Sequence, residues 1–328
     1  MKPRIIISAF GLTYAALFLL NIESCKELFR EGILICTNSL VPSLLPFMIA
    51  SNMILVTMHD VPKQVKIPMI YTLGLVFGFP IAAKHASEML QRKEISFSTY
   101  KKLICCAGVP SAGFTVGFCG KHFGYDKGVL LYSITVISAL LCSILIPDDV
   151  KPMGSDNTET NAEASFLSAI SESVKDGIHR MINVCGYVIF FYTLSGVLCQ
   201  KIKNAYAAAV ISGILEFSTG CTKAMRADTG ISYVLCAGIL SFSGISVLMQ
   251  CASIEREYGV REINGVYIAF RCLQALLSAV TAYSVQRGYT FVIPLLIILC
   301  VICRSTPFLQ RIHKNKLKKN SKSSIINH

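Results

Sequence analysis

The chain has 328 residues, of which 53% are hydrophobic and only 15% charged, with a mean hydropathy of +0.57 and a net charge of +12. Soluble domains carry about 25% charged residues. A soluble enzyme or nucleic-acid-binding body is therefore excluded, and a polytopic membrane protein is expected.

Along the chain, Lys2 and Arg4 precede an apolar run from Ile5 to Leu20. Asn21-Ile22-Glu23-Ser24 follows and offers no small-x-small cleavage site, so the run reads as a retained anchor. A span needs roughly 20 apolar residues. Stretches of that kind occupy 5–21, 32–57, 103–120, 128–147, 181–199, 229–250, 263–284 and 289–303. Two more, 68–90 and 204–222, are apolar but carry breakers and charge near their middles, and are expected to enter the bilayer and return. Between the halves, the polar stretch from about 147 to 165 has the composition of a flexible tether. After it, Phe166, Ile170, Val174 and Ile178 recur every four residues beside Glu172, Lys175, Asp176 and Arg180, the pattern of an interfacial amphipathic helix.

Basic residues set the orientation. Seven Lys and Arg follow Cys303, and Lys2 and Arg4 lie at the other end, so both termini are expected in the cytoplasm of a multi-pass cell-membrane protein. Loops 58–67 and 91–102 are also basic, which requires segment 68–90 to return to the side it entered from. The result is an all-α membrane protein of about eight spans (8–10) with two re-entrant or broken-helix segments, arranged as an inverted repeat. Its parts are an anchor and loop (1–31), a first repeat (32–147), a linker (148–165), a second repeat led by the amphipathic helix (166–288), a last span (289–303) and a basic cytoplasmic tail (304–328). That tail follows a span, so it reads as a contact for anionic lipid, with no nucleic-acid partner.

The breakers mark the candidate site, because interrupted helices at matching places in two halves point to a transporter's binding region. In the first half they are Gly78-Phe79-Pro80 with Lys84, and Gly108-Val109-Pro110-Ser111 with Gly113. In the second they are Glu216-Phe217-Ser218-Thr219-Gly220 and Ser241-Phe242-Ser243-Gly244-Ile245-Ser246, with Gln250 beyond. Glu216 stands alone as an acid in its apolar segment. A charge at mid-membrane costs about 2.5–3.5 kcal/mol on insertion scales and marks a functional site by default; the alternative is a structural carboxylate paired with Lys223 or Arg226. Ser218, Thr219, Ser241, Ser243, Ser246 and Gln250 supply hydroxyl and amide groups for a polar solute, or bond back to their own helices. Pro80, Pro110 and Ser111 open the first-half breaks, while Lys84 either meets an anionic group or snorkels to the headgroups. Arg271 is expected to face polar protein, which by itself implies no ligand. Gly74-x-x-x-Gly78 and Gly113-x-x-x-Gly117 permit close helix contact. The fourteen cysteines are mostly scattered singly and read as small apolar residues; even Cys105-Cys106 and Cys300-x-x-Cys303 lack the partners of a metal site. No enzyme motif, metal site or cofactor site is present in the sequence.

The order of these motifs resembles the YlbJ-type sporulation integral membrane proteins of the nucleoside-recognition gate group. The residues concerned are Gly78 to Lys84, Cys106 to Pro110, the run Ser165 to Arg180 leading into Gly186-Tyr187, Gly213 to Glu216 with Gly220, and Ser241 to Gln250. The resemblance covers about residues 30–285. It departs at the second break, where Cys105-Cys106-Ala107-Gly108-Val109-Pro110 stands in place of an Asn-Asn-Ser-Gly-Pro pattern, and at Met249. The resemblance implies a transporter-like protein needed for spore cortex formation, handling a nucleoside-like or other small polar solute. The alternative is a non-transporting structural or assembly component of the spore envelope. Homo-oligomerisation is left open.

Reporter fusions or cysteine-accessibility mapping are expected to place both termini and the 148–165 linker in the cytoplasm. An external tail would overturn the orientation, and an external linker the inverted repeat.

Overall fold

The computed structural model describes residues 3–56, 61–147, 166–227, 230–261, 263 and 265–289. The 148–165 linker, nearly all of the 289–303 segment and the 304–328 tail lie outside these residues. Every described element is helical.

Helix α1 spans Pro3–Leu20, and α2 spans Ile22–Ile35. A π-helical turn, Cys36–Leu40, joins α2 to α3 (Val41–Val56). That widened turn directly precedes Pro42 and Pro46, which have no N–H to donate to the preceding turn. The pair α4 (Lys63–Phe77) and α5 (Ile81–Gln91) is interrupted at Gly78–Pro80. Next, α6 (Phe97–Cys106) stops at the Ala107–Ser111 break. The chain resumes as the short α7 (Ala112–Phe114), a second π-helical turn (Thr115–Cys119) and α8 (Gly120–Phe123). Helix α9 (Tyr125–Ile144) closes the first half.

The second half begins with α10, a continuous helix of 34 residues from Phe166 to Cys199. The amphipathic stretch and the 181–199 span are therefore one element. Only isolated glycines lie between them; each costs about 1 kcal/mol against Ala, which does not end a helix. One of these, Gly177, packs on Ile49 of α3. Helices α11 (Ala205–Leu215) and α12 (Phe217–Arg226) fold against each other across Glu216. Helices α13 (Ser232–Phe242) and α14 (Gly244–Glu257) meet at Ser243, and α15 (Gly265–Gln286) packs along α13 and α9. Thus the order long helix, helix pair, broken helix, long helix occurs twice.

Five helical stretches among the described residues are long and apolar enough to cross a bilayer: Ile22–Val56, Tyr125–Ile144, Phe166–Cys199, Ser232–Glu257 and Gly265–Gln286. The expected 103–120 span is instead divided by the Ala107–Ser111 break, and α1 is a shorter apolar helix. Polarity is arranged inside out. Leu276 of α15 is 61% exposed, whereas its neighbours Gln274 and Ser278 are fully buried. Lipid accepts apolar side chains at no cost, so helix contact rests on close packing of small residues and on internal polar bonds.

The two glycine pairs behave differently. A Cβ on Gly74 would lie 2.6 Å from the Ala107 Cβ, and one on Gly78, whose φ is +78°, would lie 2.5 Å from the Ser111 backbone nitrogen. This pair seats α4 against the next break. Gly113 and Gly117, by contrast, have nothing within 4 Å of the added carbon. They line an open cleft of about 520 Å³ with Ser39, Ser43, Lys121 and His122. Gly78→Ala is expected to lose at least about 1–3 kcal/mol through backbone strain alone. Gly117→Ala is expected to be neutral or to gain up to about 1 kcal/mol from restricting the unfolded chain. Thermal unfolding of the two variants in detergent checks the contrast; equal losses would contradict it.

Candidate functional site

Glu216 ends α11 because its backbone turns extended, with φ −148° and ψ 121°. The same residue caps α12. Its Oε1 accepts from the Ser218 N–H at 3.1 Å. Its Oε2 accepts from the Ser218 hydroxyl at 2.6 Å, the Thr219 N–H at 2.8 Å and the Thr219 hydroxyl at 2.8 Å. The side chain is wholly buried. Neither Lys223 nor Arg226 pairs with it: Lys223 reaches back across the hairpin to the Ser212 hydroxyl at 2.8 Å. Among the described residues Glu216 forms no ion pair. An ionised carboxylate offers about four acceptor sites over two oxygens. Here Oε2 is saturated while Oε1 takes one bond, so Oε1 is the atom open to a proton, a cation or a solute donor. The two backbone N–H groups are free donors of the first turn of α12, which this carboxylate caps.

The break between α13 and α14 lies directly on this one. Ser243 and Gly244 have φ of 72° and 81°, the left-handed region. A Cβ on Gly244 would be 3.1 Å from the Phe217 nitrogen and 3.2 Å from the Glu216 Cα. Glycine is thus required both by the turn and by the approach of a second backbone. The serine ladder expected from the sequence divides here. Ser241 hydrogen-bonds Ser278 of α15 at 2.6 Å, and Ser243 donates back to the Leu240 carbonyl. Gln250 donates to Ser246 at 3.2 Å, while its Oε1 is buried without a partner. All four side chains are buried.

The first half repeats the arrangement. The Phe79 N–H donates to the Val109 carbonyl at 3.1 Å, so the α4–α5 break rests on the α6–α7 break. Pro80 caps α5, and the Ser111 hydroxyl accepts from the Phe114 N–H as the cap of α7. The halves join through three rings. Phe217 meets Phe79 edge-on with centroids 5.4 Å apart and Phe114 at 5.0 Å. Phe217 therefore touches or adjoins all four breaks. Lys84 turns the other way, with its Nζ 2.5 Å from Asp176 Oδ2 and 2.6 Å from Asn52 Oδ1. Asp176 also accepts from Arg180, which reaches Glu257 at 3.4 Å. Lys84 thereby ties α5 to α3, α10 and α14 through protein groups.

Glu216, Ser218, Thr219, Phe217, Gly244, Gly78, Pro80, Pro110 and Ser111 are thus brought to one region, while Lys84 and Ser241 are directed elsewhere. Phe114 and Asn52 were not singled out by the sequence, and Phe79 and Phe217 stood there only as members of the breaker clusters. The one side-chain amide in the apolar run Val41–Val56 was the available signal for Asn52.

No family model and no solved structure matches the chain. It is 22% identical over 332 positions to a protein named sporulation integral membrane protein YlbJ, from Bacillus subtilis (strain 168). The match covers 84% of this chain and 81% of that protein, a distant relationship along most of both lengths.

Ser218→Ala and Thr219→Val each remove a hydroxyl donor from Oε2. Each is expected to lower stability by about 1.5–3 kcal/mol, the usual worth of a hydrogen bond to a charged group. Unfolding measurements that find both variants as stable as the parent would contradict the cradle.

Proposed function

We propose that the chain is a transporter-like integral membrane protein that acts in sporulation, built as a gate-type inverted repeat. Glu216 is its coupling or solute-contacting group. The observation that carries the reading is a wholly buried carboxylate at a helix break, held by four donors and by no cation among the described residues, where four breaks converge. A buried charge without an ion-pair partner is costly, and a function that needs it is a reason for the chain to keep one. The repeated order of elements, and hairpins interrupted at Gly78–Pro80 and Glu216, support alternating access between two related halves. In this reading the hairpins enter from opposite faces, the cell membrane holds the protein and both termini are cytoplasmic. The sporulation role, with a place in cortex formation, is drawn from the distant relative's name and from the motif order. The solute is small and polar.

A second reading, a non-transporting component of the spore envelope, is favoured by one observation. Phe79, Phe114 and Phe217 close the meeting point of the breaks and are each buried.

Glu216→Gln keeps the shape of the side chain and removes its charge. It is expected to reach the membrane at normal levels yet lower heat-resistant spore yield and solute uptake in vesicles at least about tenfold, equivalent to about 1.4 kcal/mol. Normal values in both assays would make Glu216 structural and favour the second reading.

A further inference from the structure

Arg271 is 1% exposed within α15, one of the candidate spans. Its Nε and Nη2 donate to the Tyr267 hydroxyl at 3.0 and 2.6 Å, and its Nη1 donates to Gln274 Oε1 at 2.9 Å. Its ring neighbour is also Tyr267, at 5.1 Å from the centroid. Among the described residues no carboxylate pairs with it. Glu255, the wholly buried acid of α14, is taken up by the Tyr100 hydroxyl at 2.5 Å and the Ile263 N–H at 2.9 Å. A guanidinium carries five N–H groups, and these bonds use three.

The second observation is Gln274, which is fully buried and whose Nε2 has no partner among the described residues. Its orientation is chemically fixed. A guanidinium only donates, so the amide must present oxygen to Arg271 and turn its NH2 away. Two N–H of Arg271 and the NH2 of Gln274 thus have no acceptor among the described residues, in a low-dielectric interior where each unmade bond costs about 1–3 kcal/mol. They sit at a defined place. The Arg271 guanidinium packs on Gly108, where a Cβ would be 2.2 Å from Nη2, so it abuts the first-half break. One turn beyond Gln274, Ser278 bonds Ser241 at the end of α13, beside the second-half break. Arg271, Gln274, Ser278 and Thr281 follow helical spacing, and all are buried. The polar face of α15 therefore links the two breaks, with its unmet donors in the first half of that face.

We propose that Arg271 and Gln274 form a buried subsite for a small oxyanion group, a carboxylate or a phosphate. That this group belongs to a transported solute rests on the transport reading above; anion binding by the folded protein does not. The subsite supplies the cationic contact, and Glu216 the acidic one, at separate breaks.

The test uses the full-length protein in detergent, with thermal unfolding followed by a dye that reacts with newly exposed cysteines. Sodium acetate and sodium phosphate are titrated at constant ionic strength against the sodium salt of a bulky sulfonate. The wild-type midpoint is expected to rise with at least one of the two anions. Gln274→Leu is expected to raise the half-saturating concentration about tenfold, and Arg271→Gln to remove the response. Gln274→Glu supplies a carboxylate from within; it is expected to raise the midpoint without added anion and to abolish the response. Glu216→Gln is expected to retain the wild-type response, which separates this subsite from the transport reading. A wild-type midpoint indifferent to both anions overturns the proposal, as does an unchanged response in Gln274→Leu or a response lost in Glu216→Gln. Should Arg271→Gln fail to fold, the two Gln274 variants decide alone.

Discussion

The packing of one helix break on another is the constraint on which the rest of the molecule depends. A helix interrupted at membrane depth frees backbone groups that lipid cannot satisfy, so each break must lie against protein. In the first half the Phe79 N–H bonds the Val109 carbonyl, and Gly78 leaves space for Ser111. In the second, Gly244 leaves space for Glu216 and Phe217. Both contacts bring backbone against backbone, which explains glycine at each. Phe217 then meets Phe79 and Phe114, so the two local solutions become one interior. The placement of Glu216 follows, since the residue that ends α11 is the same one that caps α12.

The buried charges sort by how each is met. Lys84 has a carboxylate and an amide from other helices, and its network joins four elements as a structural tie. Glu216 has hydroxyl and N–H donors from its own first turn, but no cation. Arg271 has a phenol and an amide oxygen, but no anion among the described residues. Charges met by opposite charge hold the helices together. Charges met only by neutral dipoles are the ones to which the proposals above assign a solute. That difference separates Lys84 from the other two, although hydropathy treats all three alike.

Much of this was legible in the sequence, and the unread parts have physical causes. Proline and positive-φ glycine located the interruptions at Gly78–Pro80, Gly108–Ser111 and Ser243–Gly244, because they act through local geometry; in the fourth cluster the interruption falls at Glu216, while its glycine, Gly220, lies inside α12 against Gly213. Side-chain direction depends on neighbours distant in sequence, so it was not readable that Lys84 turns to Asp176 or that Ser241 turns to Ser278. The same holds for glycine pairs: Gly74 and Gly78 are tightly packed while Gly113 and Gly117 face open space, though the motif is identical. The amphipathic stretch and the 181–199 span form one helix because a change of polarity does not end a helix and no breaker stands there. The buried face of α15 carried a weak signal, polar residues at helical spacing through Arg271, Gln274, Ser278 and Thr281, hidden among exposed apolar ones such as Leu276 and Val280.

The claim that the breaks of both halves meet at Phe217 is tested most directly by a double-mutant cycle. Phe79→Leu, Phe217→Leu and the double variant would be compared by reversible unfolding in mixed micelles. Contact between the rings predicts a coupling energy of about 0.5–1.5 kcal/mol. Additivity of the two single losses to within about 0.3 kcal/mol would show the rings apart and contradict the account.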